Sequence, residues 1–287
     1  MPEKKVYSHS KLKTFEQCPI KYKFKYIDKI KTVDKSIETL LGFAVHAVLE
    51  YLHSEVKIGR IPSVEEIIMV YSSTWTDNYN ENIVIVKDNL NDKYYFNKGI
   101  EFLTTYYTQN HPFDDKKLEV EKRIRIKLGE NNEYEIIGFI DRLVYNLKEN
   151  RYEVHDYKTS SSMPRKEQIE SDRQLSIYAI AIKEIFGSEK EVVVVWHYLA
   201  HNQKIHLKKE NHELEKHKKE IIELIKKIES TNNFPPRVSA LCHWCEYKSI
   251  CPAWENKRPK FEKQQKLNLE SSKEIKGVKE EELDIWD

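Results

Sequence analysis

A chain of 287 residues with 39% apolar and 33% charged side chains can bury a substantial core as one elaborated domain, which excludes a fibrous or wholly disordered protein. Its 48 basic and 47 acidic residues nearly cancel, so net charge gives no argument for a nucleic-acid partner and any basic surface must be local. No run approaches the length of a membrane span, and the opening "MPEKKVYSHS" lacks the apolar core of a secretory signal, so no membrane partner and a cytoplasmic location are expected.

In chain order, "SHSKLKTFEQCPIKYKFKYIDKI" begins with serines suited to capping a helix, carries Leu12 and Phe15 at helical spacing, and is interrupted or restarted at Cys18-Pro19. "IETLLGFAVHAVLEYLHSEV" is apolar at helical period from Leu40 and Leu41 through Val45, Val48, Leu49 and Leu52, which predicts a helix. Two aromatic-rich helices are predicted over about Val64 to Tyr79 and Asp88 to Gln109, ending at the break "NHPF". The period then changes, and "KLEVEKRIRIKL", "EYEIIGFIDRLVYNL" and "RYEVHDYKT" read as strands separated by the turn-like "GENN" and "KEN". "RKEQIESDRQLSIYAIAIKEIFG" predicts a helix closed by Gly187, followed by a buried strand in "EVVVVWHYLA". "QKIHLKK" adds an edge strand, "ENHELEKHKKEIIELIKKIEST" a lysine-rich amphipathic helix, and "NNFPPRVS" a loop. From about Lys260 onward the chain is charge-dense with little to bury, which predicts disorder.

The stretch "YEVHDYKTSSS" brings an acid and a lysine into one strand. Side chains alternate along a strand, so Asp156 and Lys158 share a face roughly 7 Å apart, and His155 and Tyr157 point the other way. If Lys148 and Glu149 form the tip of the preceding hairpin, Asp141 of "GFID" lies opposite Asp156 and both acids point from one face. Opposed carboxylates are tolerated chiefly with a cation between them or with one protonated, and donors this hard favour magnesium or manganese. The tip has no glycine, so a slip of one residue would turn one acid away. Lys158 beside a carboxylate-held metal would orient or deprotonate the attacking water and stabilise charge on a phosphoryl group. Alone, a D-x-K pattern reads far more readily as a surface ion pair at a strand end, so its context must discriminate.

The order of four motifs adds to this reading: "GFAVHAVLE" with His46, "GFIDRL" with Asp141, "DYKT" with Asp156 and Lys158, and "QLSIYA" with Gln174 and Tyr178. From about Ser8 to Pro252 the chain resembles the RecB-like branch of the PD-(D/E)XK nuclease superfamily, which includes AddB-type and CRISPR-associated exonucleases. The resemblance implies an α/β nuclease core with a central mixed β-sheet flanked by helices, a helical N-terminal insertion and an iron-sulfur-stapled subdomain of both chain ends. It also implies that His46, Asp141 and Asp156 are side-chain metal ligands, that the backbone carbonyl of Tyr157 is a further donor, that Lys158 is the catalytic lysine, and that Gln174 and Tyr178 line the DNA path. Two departures are small: "ID" stands where the family usually has PD, and the D/E position is Asp156. Taken singly, His46 between Val45 and Val48 reads as a core histidine, and Gln174 and Tyr178 as a contact along a helix surface. Glu121 reads as a water-mediated metal contact or, with Glu119, as solvated or paired with Arg123.

Four cysteines in a chain of this size are too few and too oddly placed for a disulfide framework. Cys18 stands alone, and "CHWCEYKSICP" supplies Cys242, Cys245 and Cys251. Zinc is one reading, although zinc sites usually combine two close pairs, and four unbound buried thiols are another. The family resemblance implies instead a 4Fe-4S cluster held by these four residues.

"KYKFKYIDKIK" interleaves lysines with aromatics, so Lys21, Tyr22 and Lys25 are candidate DNA contacts, or else a solvated lysine face over inward-packed rings. The expected function is a Mg2+- or Mn2+-dependent DNA nuclease, an exonuclease on single-stranded or frayed ends leaving 5′-phosphate and 3′-hydroxyl products. The alternative is a non-catalytic iron-sulfur subunit that docks DNA, a helicase or a CRISPR adaptation partner. The expected organisation is an N-terminal segment over 1–36, a helical region over 37–110, the nuclease core over 111–230, a cysteine loop over 231–259 and the tail over 260–287.

Overall fold

The computed structural model describes residues 5–115 and 118–257, and the tail expected over 260–287 lies outside the described residues. Strand β1 (Lys5–Ser8) runs into helix α1 (His9–Gln17), whose N-cap Ser8 accepts a hydrogen bond from Lys11 N at 3.1 Å. Cys18 is extended and ends α1, and Pro19 opens α2 (Pro19–Tyr22) at a first-turn position where its missing N–H is not needed. One π-helical turn follows over Lys23–Ile27. Next come β2 (Lys35–Ser36), α3 (Ile37–Lys57), α4 (Val64–Asn78), β3 (Ile83–Val84) and α5 (Asp92–Asn110). Asn91 caps α5 by accepting from Tyr94 N, which moves its start from the expected Asp88.

The three expected strands are β4 (Leu118–Leu128), β5 (Tyr134–Asn146) and β6 (Arg151–Lys158). The single helix expected next is two, α6 (Lys166–Glu170) and α7 (Arg173–Phe186), because the Asp172 side chain accepts from Gln174 N at 2.7 Å and caps a new start. Strand β7 (Glu191–Tyr198), edge strand β8 (Gln203–Lys208) and helix α8 (Asn211–Ser230) complete the regular elements among the described residues. From residue 231 to 257 the chain is irregular, with short 3-10 turns that hold or end at the last three cysteines.

Strand β5 organises the mixed six-stranded sheet. Antiparallel β4 covers one of its edges from Tyr134 to Val144. The other edge is shared: β1 pairs in parallel with Tyr134 to Ile137, and β6 pairs antiparallel with Arg142 to Asn146. The sheet continues through parallel β7 to antiparallel β8. At four residues β1 is too short to carry a periodic signal, and it went unpredicted. The β5–β6 register is the expected one, with Arg142 opposite His155 as its last pair, and Asp141 and Asp156 are the next residues beyond it. Asparagines do the work of the absent glycine: Asn146 Oδ1 accepts from the backbone N–H groups of Lys148 and Glu149, and Asn150 adopts a left-handed φ of 52°.

Two cores flank the sheet. Leu12 and Phe15 of α1 pack with Ile124, Ile136, Ile180 and Ile221 on the α7–α8 side. On the other side α3, α4 and α5 bury Leu49, Tyr71 and Phe102 against Leu118, Val144 and Tyr157. Leu12 is 0% exposed and ties the N-terminal helix to the sheet, so Leu12→Ala should lower stability by about 2–5 kcal/mol, read from the urea midpoint.

Candidate active site

The β5–β6 ladder ends at Arg142 and His155, and one residue further Asp141 Oδ2 accepts the backbone N–H of Tyr157 at 3.0 Å. A carboxylate thus takes the hydrogen bond that a strand carbonyl would otherwise accept. On β4, the residue level with Asp141 is Glu121, which is skipped by the pairing and has φ 46°. A left-handed residue in a strand re-aims the side chains that follow it. Val120 packs against the α3–α5 core whereas Ile124 and Ile126 pack in the α7–α8 core; on β5, Val144 lies in the former and Ile136 and Ile140 in the latter. Both strands therefore exchange faces at one level, and Asp141 sits at the exchange.

From there Asp141 reaches the α3 side, where His46 Nδ1 is 3.5 Å from its Oδ2. The other ring nitrogen of His46, Nε2, donates to the Tyr157 carbonyl at 2.9 Å, since a carbonyl only accepts. Asp156 and Lys158 alternate with Tyr157 and belong to the α7 side. Lys158 Nζ lies 2.6 Å from Asp156 Oδ2 and 5.5 Å from the centroid of the Trp196 ring. Gln174, on the first turn of α7, bridges the pair: its Nε2 donates to Asp156 Oδ1 at 3.0 Å and its Oε1 accepts from Lys158 Nζ at 2.8 Å.

The charges are interdependent. Burial pushes the Asp141 carboxyl up, but His46 and the Tyr157 N–H outweigh it and hold Asp141 below its ordinary value. His46 is correspondingly raised against its burial by the Asp141 charge. For Asp156, burial together with the Asp141 charge prevails over Lys158 and raises the carboxyl, while Lys158 is raised, against its burial, by Asp156. Glu121 is pushed up to about 8, by burial first and then by the charges of Asp141, Glu50 and Asp156. Glu50, one turn beyond His46 on α3, is raised by burial and by Asp141. Sequence reasoning passed over Glu50, although its i+4 spacing from His46 was a usable signal.

A divalent cation suits this donor set, because oxygens dominate it and four carboxylates share too few positive partners. Among the described residues no three His, Cys, Asp or Glu side chains form a ready-made ligand group. The protein's own donors engage these oxygens instead, Lys158 on Asp156 and His46 on the Tyr157 carbonyl.

Other expected contacts fall elsewhere. Tyr22 is corrected: at 4% exposure, stacked on Phe234 at 6.3 Å and edge-on to Phe15, it is a core ring that no base can reach. Tyr178 is likewise buried at 5%, with its O–H turned to Asp156 Oδ1 at 3.4 Å, so it braces the carboxylate and does not line an open path. Lys21 pairs with Glu246 at 2.8 Å, and Lys25 lies over the Tyr26 ring. The four cysteines carry no disulfide and line one cavity with Lys21, Arg237 and Trp254. Backbone N–H groups of Arg237 and Ser239 donate to the sulfurs of Cys18 and Cys242, each at 3.4 Å.

The raised Glu121 makes a pH prediction. A carboxyl that is raised on folding favours the folded state most while protonated, so in EDTA its contribution should fade as pH rises from about 4.5 to about 8. Glu121→Gln should flatten the melting temperature against pH across that window; an unchanged slope would refute the crowding.

No curated protein matches the chain. A protein of Eubacterium rectale, provisionally named an exonuclease, superposes with a TM-score of 0.51 over 89% of this chain and 89% of its own at 10% identity, a likeness of fold alone. The solved structure of SSO0001 superposes with a TM-score of 0.43 over 88% of each chain at 18% identity. The sequence model of the PD-(D/E)XK nuclease superfamily matches residues 6–252, nearly the whole described chain. With its acids and lysine at the end of the β5–β6 ladder, the chain belongs to the PD-(D/E)XK nuclease superfamily.

Proposed function

We propose that the chain is a divalent-metal-dependent deoxyribonuclease, an exonuclease acting on single-stranded or frayed DNA ends and leaving 5′-phosphate and 3′-hydroxyl products. The observation that carries this reading is the convergence of Asp141, Asp156, Lys158 and His46 around the Tyr157 peptide, where the ladder stops. His46, Asp141, Asp156 and the Tyr157 carbonyl would hold Mg2+ or Mn2+, which when bound polarises the phosphoryl oxygen and neutralises developing charge. Asp156 and Gln174 fix the Lys158 ammonium, so that it meets the attacking water or the phosphate oxygens without reorganising. Tyr178 and Gln174 donate to Asp156 Oδ1, while Lys158 sits on Oδ2, so a cation bound there would share that oxygen with the ammonium. Crowded carboxylates exclude a DNA phosphate until their charge is compensated, which couples substrate binding to metal.

The cysteine cavity supports a 4Fe-4S cluster held by Cys18, Cys242, Cys245 and Cys251. Hydrogen bonds from backbone N–H groups to two of the sulfurs favour thiolates, the form that binds iron. Such a cluster would staple the two ends of the described chain and stabilise it by several kcal/mol on a loop-closure basis.

End-labelled linear and circular single-stranded DNA, incubated with Mn2+ or EDTA, tests the activity. Shortening of linear strands alone, in Mn2+ alone, is expected; cleavage of circles would make the enzyme an endonuclease, and no cleavage in any divalent metal would overturn the reading. Asp156→Ala and Lys158→Ala should each reduce cleavage about a hundred-fold or more while leaving bound iron unchanged. Cys245→Ser should lose the iron measured after anaerobic purification and lower the melting temperature.

A further inference from the structure

Arg142 follows Asp141 in β5, and His155 precedes Asp156 in β6. The two face each other as the last pair of the β5–β6 ladder. Arg142 is 4% exposed, and its guanidinium spans two partners: NH2 donates to His155 Nδ1 at 2.6 Å, and NH1 to Asp115 Oδ2 at 2.7 Å. His197 Nε2 lies 2.9 Å from the same His155 Nδ1.

The hydrogen-bond chemistry leaves one arrangement. An arginine only donates, so His155 Nδ1 is a bare acceptor and the ring is the neutral tautomer protonated at Nε2. His197 then contributes its Nε2–H. Burial, then Arg142, holds His155 well below the ordinary histidine value, in agreement with a neutral ring. This is a costly way to join two strands, because a buried cation with one carboxylate partner adds less stability than apolar residues of similar volume. What it adds is direction, since a planar fork with two fixed partners locks the relative height of the strands. One residue beyond the lock, the two aspartates leave the ladder.

We infer that Arg142 is a positioning residue that sets the spacing of Asp141 and Asp156 by locking the final β5–β6 pair, with Asp115 as its anchor. The inference rests on the reading of the two aspartates as holders of a divalent cation. Asp115, from the segment between α5 and β4, joins the helical layer to the strand pair through this one guanidinium. Lysine in its place keeps the charge but, as a point donor on a flexible stem, cannot hold both partners at fixed angles.

The test uses the full chain with Arg142→Lys and the isosteric Asp115→Asn, whose site is only part-buried and should fold. Mn2+ binding is followed by loss of the free-ion electron paramagnetic resonance signal, beside cleavage as a function of Mn2+ and of DNA, and melting in EDTA. Both variants should raise the half-saturating Mn2+ by about 10- to 100-fold, with the DNA half-saturation unchanged and excess Mn2+ restoring cleavage. Unchanged Mn2+ binding in folded Asp115→Asn, or a loss of cleavage that excess Mn2+ does not restore, overturns the positioning role. A wild-type chain that binds Mn2+ without cleaving DNA overturns the nuclease reading alone, and one that binds no Mn2+ overturns both.

Discussion

Buried negative charge at the end of the β5–β6 ladder is the constraint around which the rest of the molecule is arranged. Asp141 and Asp156 project where regular pairing stops, Glu121 lies level with Asp141 on the next strand, and Glu50 approaches from α3. Four acids in such a volume repel one another strongly at the low effective dielectric of a protein interior. Each neighbour answers that repulsion. His46 faces Asp141, Lys158 faces Asp156, Gln174 ties the second pair together, and Glu121 retains its proton toward neutral pH. A fold that only maximised stability would not gather these groups, so their gathering is a sign of chemistry.

The sheet makes room for the cluster by leaving one edge of β5 incompletely paired. Strand β1 takes the first part of that edge and β6 the last, which frees the stretch from Gly138 to Asp141. At the same level the left-handed Glu121 turns the faces of β4 over, so one continuous strand serves the α7–α8 core before the site and the α3–α5 core after it. A non-glycine residue at such a φ costs about 1–2 kcal/mol, a cost tolerated where it aims a functional side chain.

Much of this was legible in the sequence, and for physical reasons. The alternation of "RYEVHDYKT" and the length of the hairpin tip determine the β5–β6 register, and the structure has that register because Asn146 and Asn150 supply the turn geometry that glycine otherwise would. The helical period of Ile37–Lys57 placed His46 on a core-facing helix. Three features were not legible. Tyr22 lies among lysines that suggest a surface, but α2 turns it inward onto Phe234, a residue more than two hundred positions away. The break between α6 and α7 depends on one capping bond from Asp172. The left-handed turn at Glu121 has no signature, because glutamate is not a residue that announces a positive φ.

The contact between Cys18 and the Arg237 backbone spans 219 positions of chain. On the ribosome, α1 and the first cysteine emerge long before the segment that closes over them. At bacterial or eukaryotic elongation rates of about 5–20 residues per second, that interval is roughly 10 to 40 s. Until then Phe15 and Tyr22 lack the Phe234 ring against which both pack. Closure of the N-terminal helices is therefore among the last packing events open to the chain, and a nascent chain stalled before residue 234 leaves the Phe15 and Tyr22 rings without that cover.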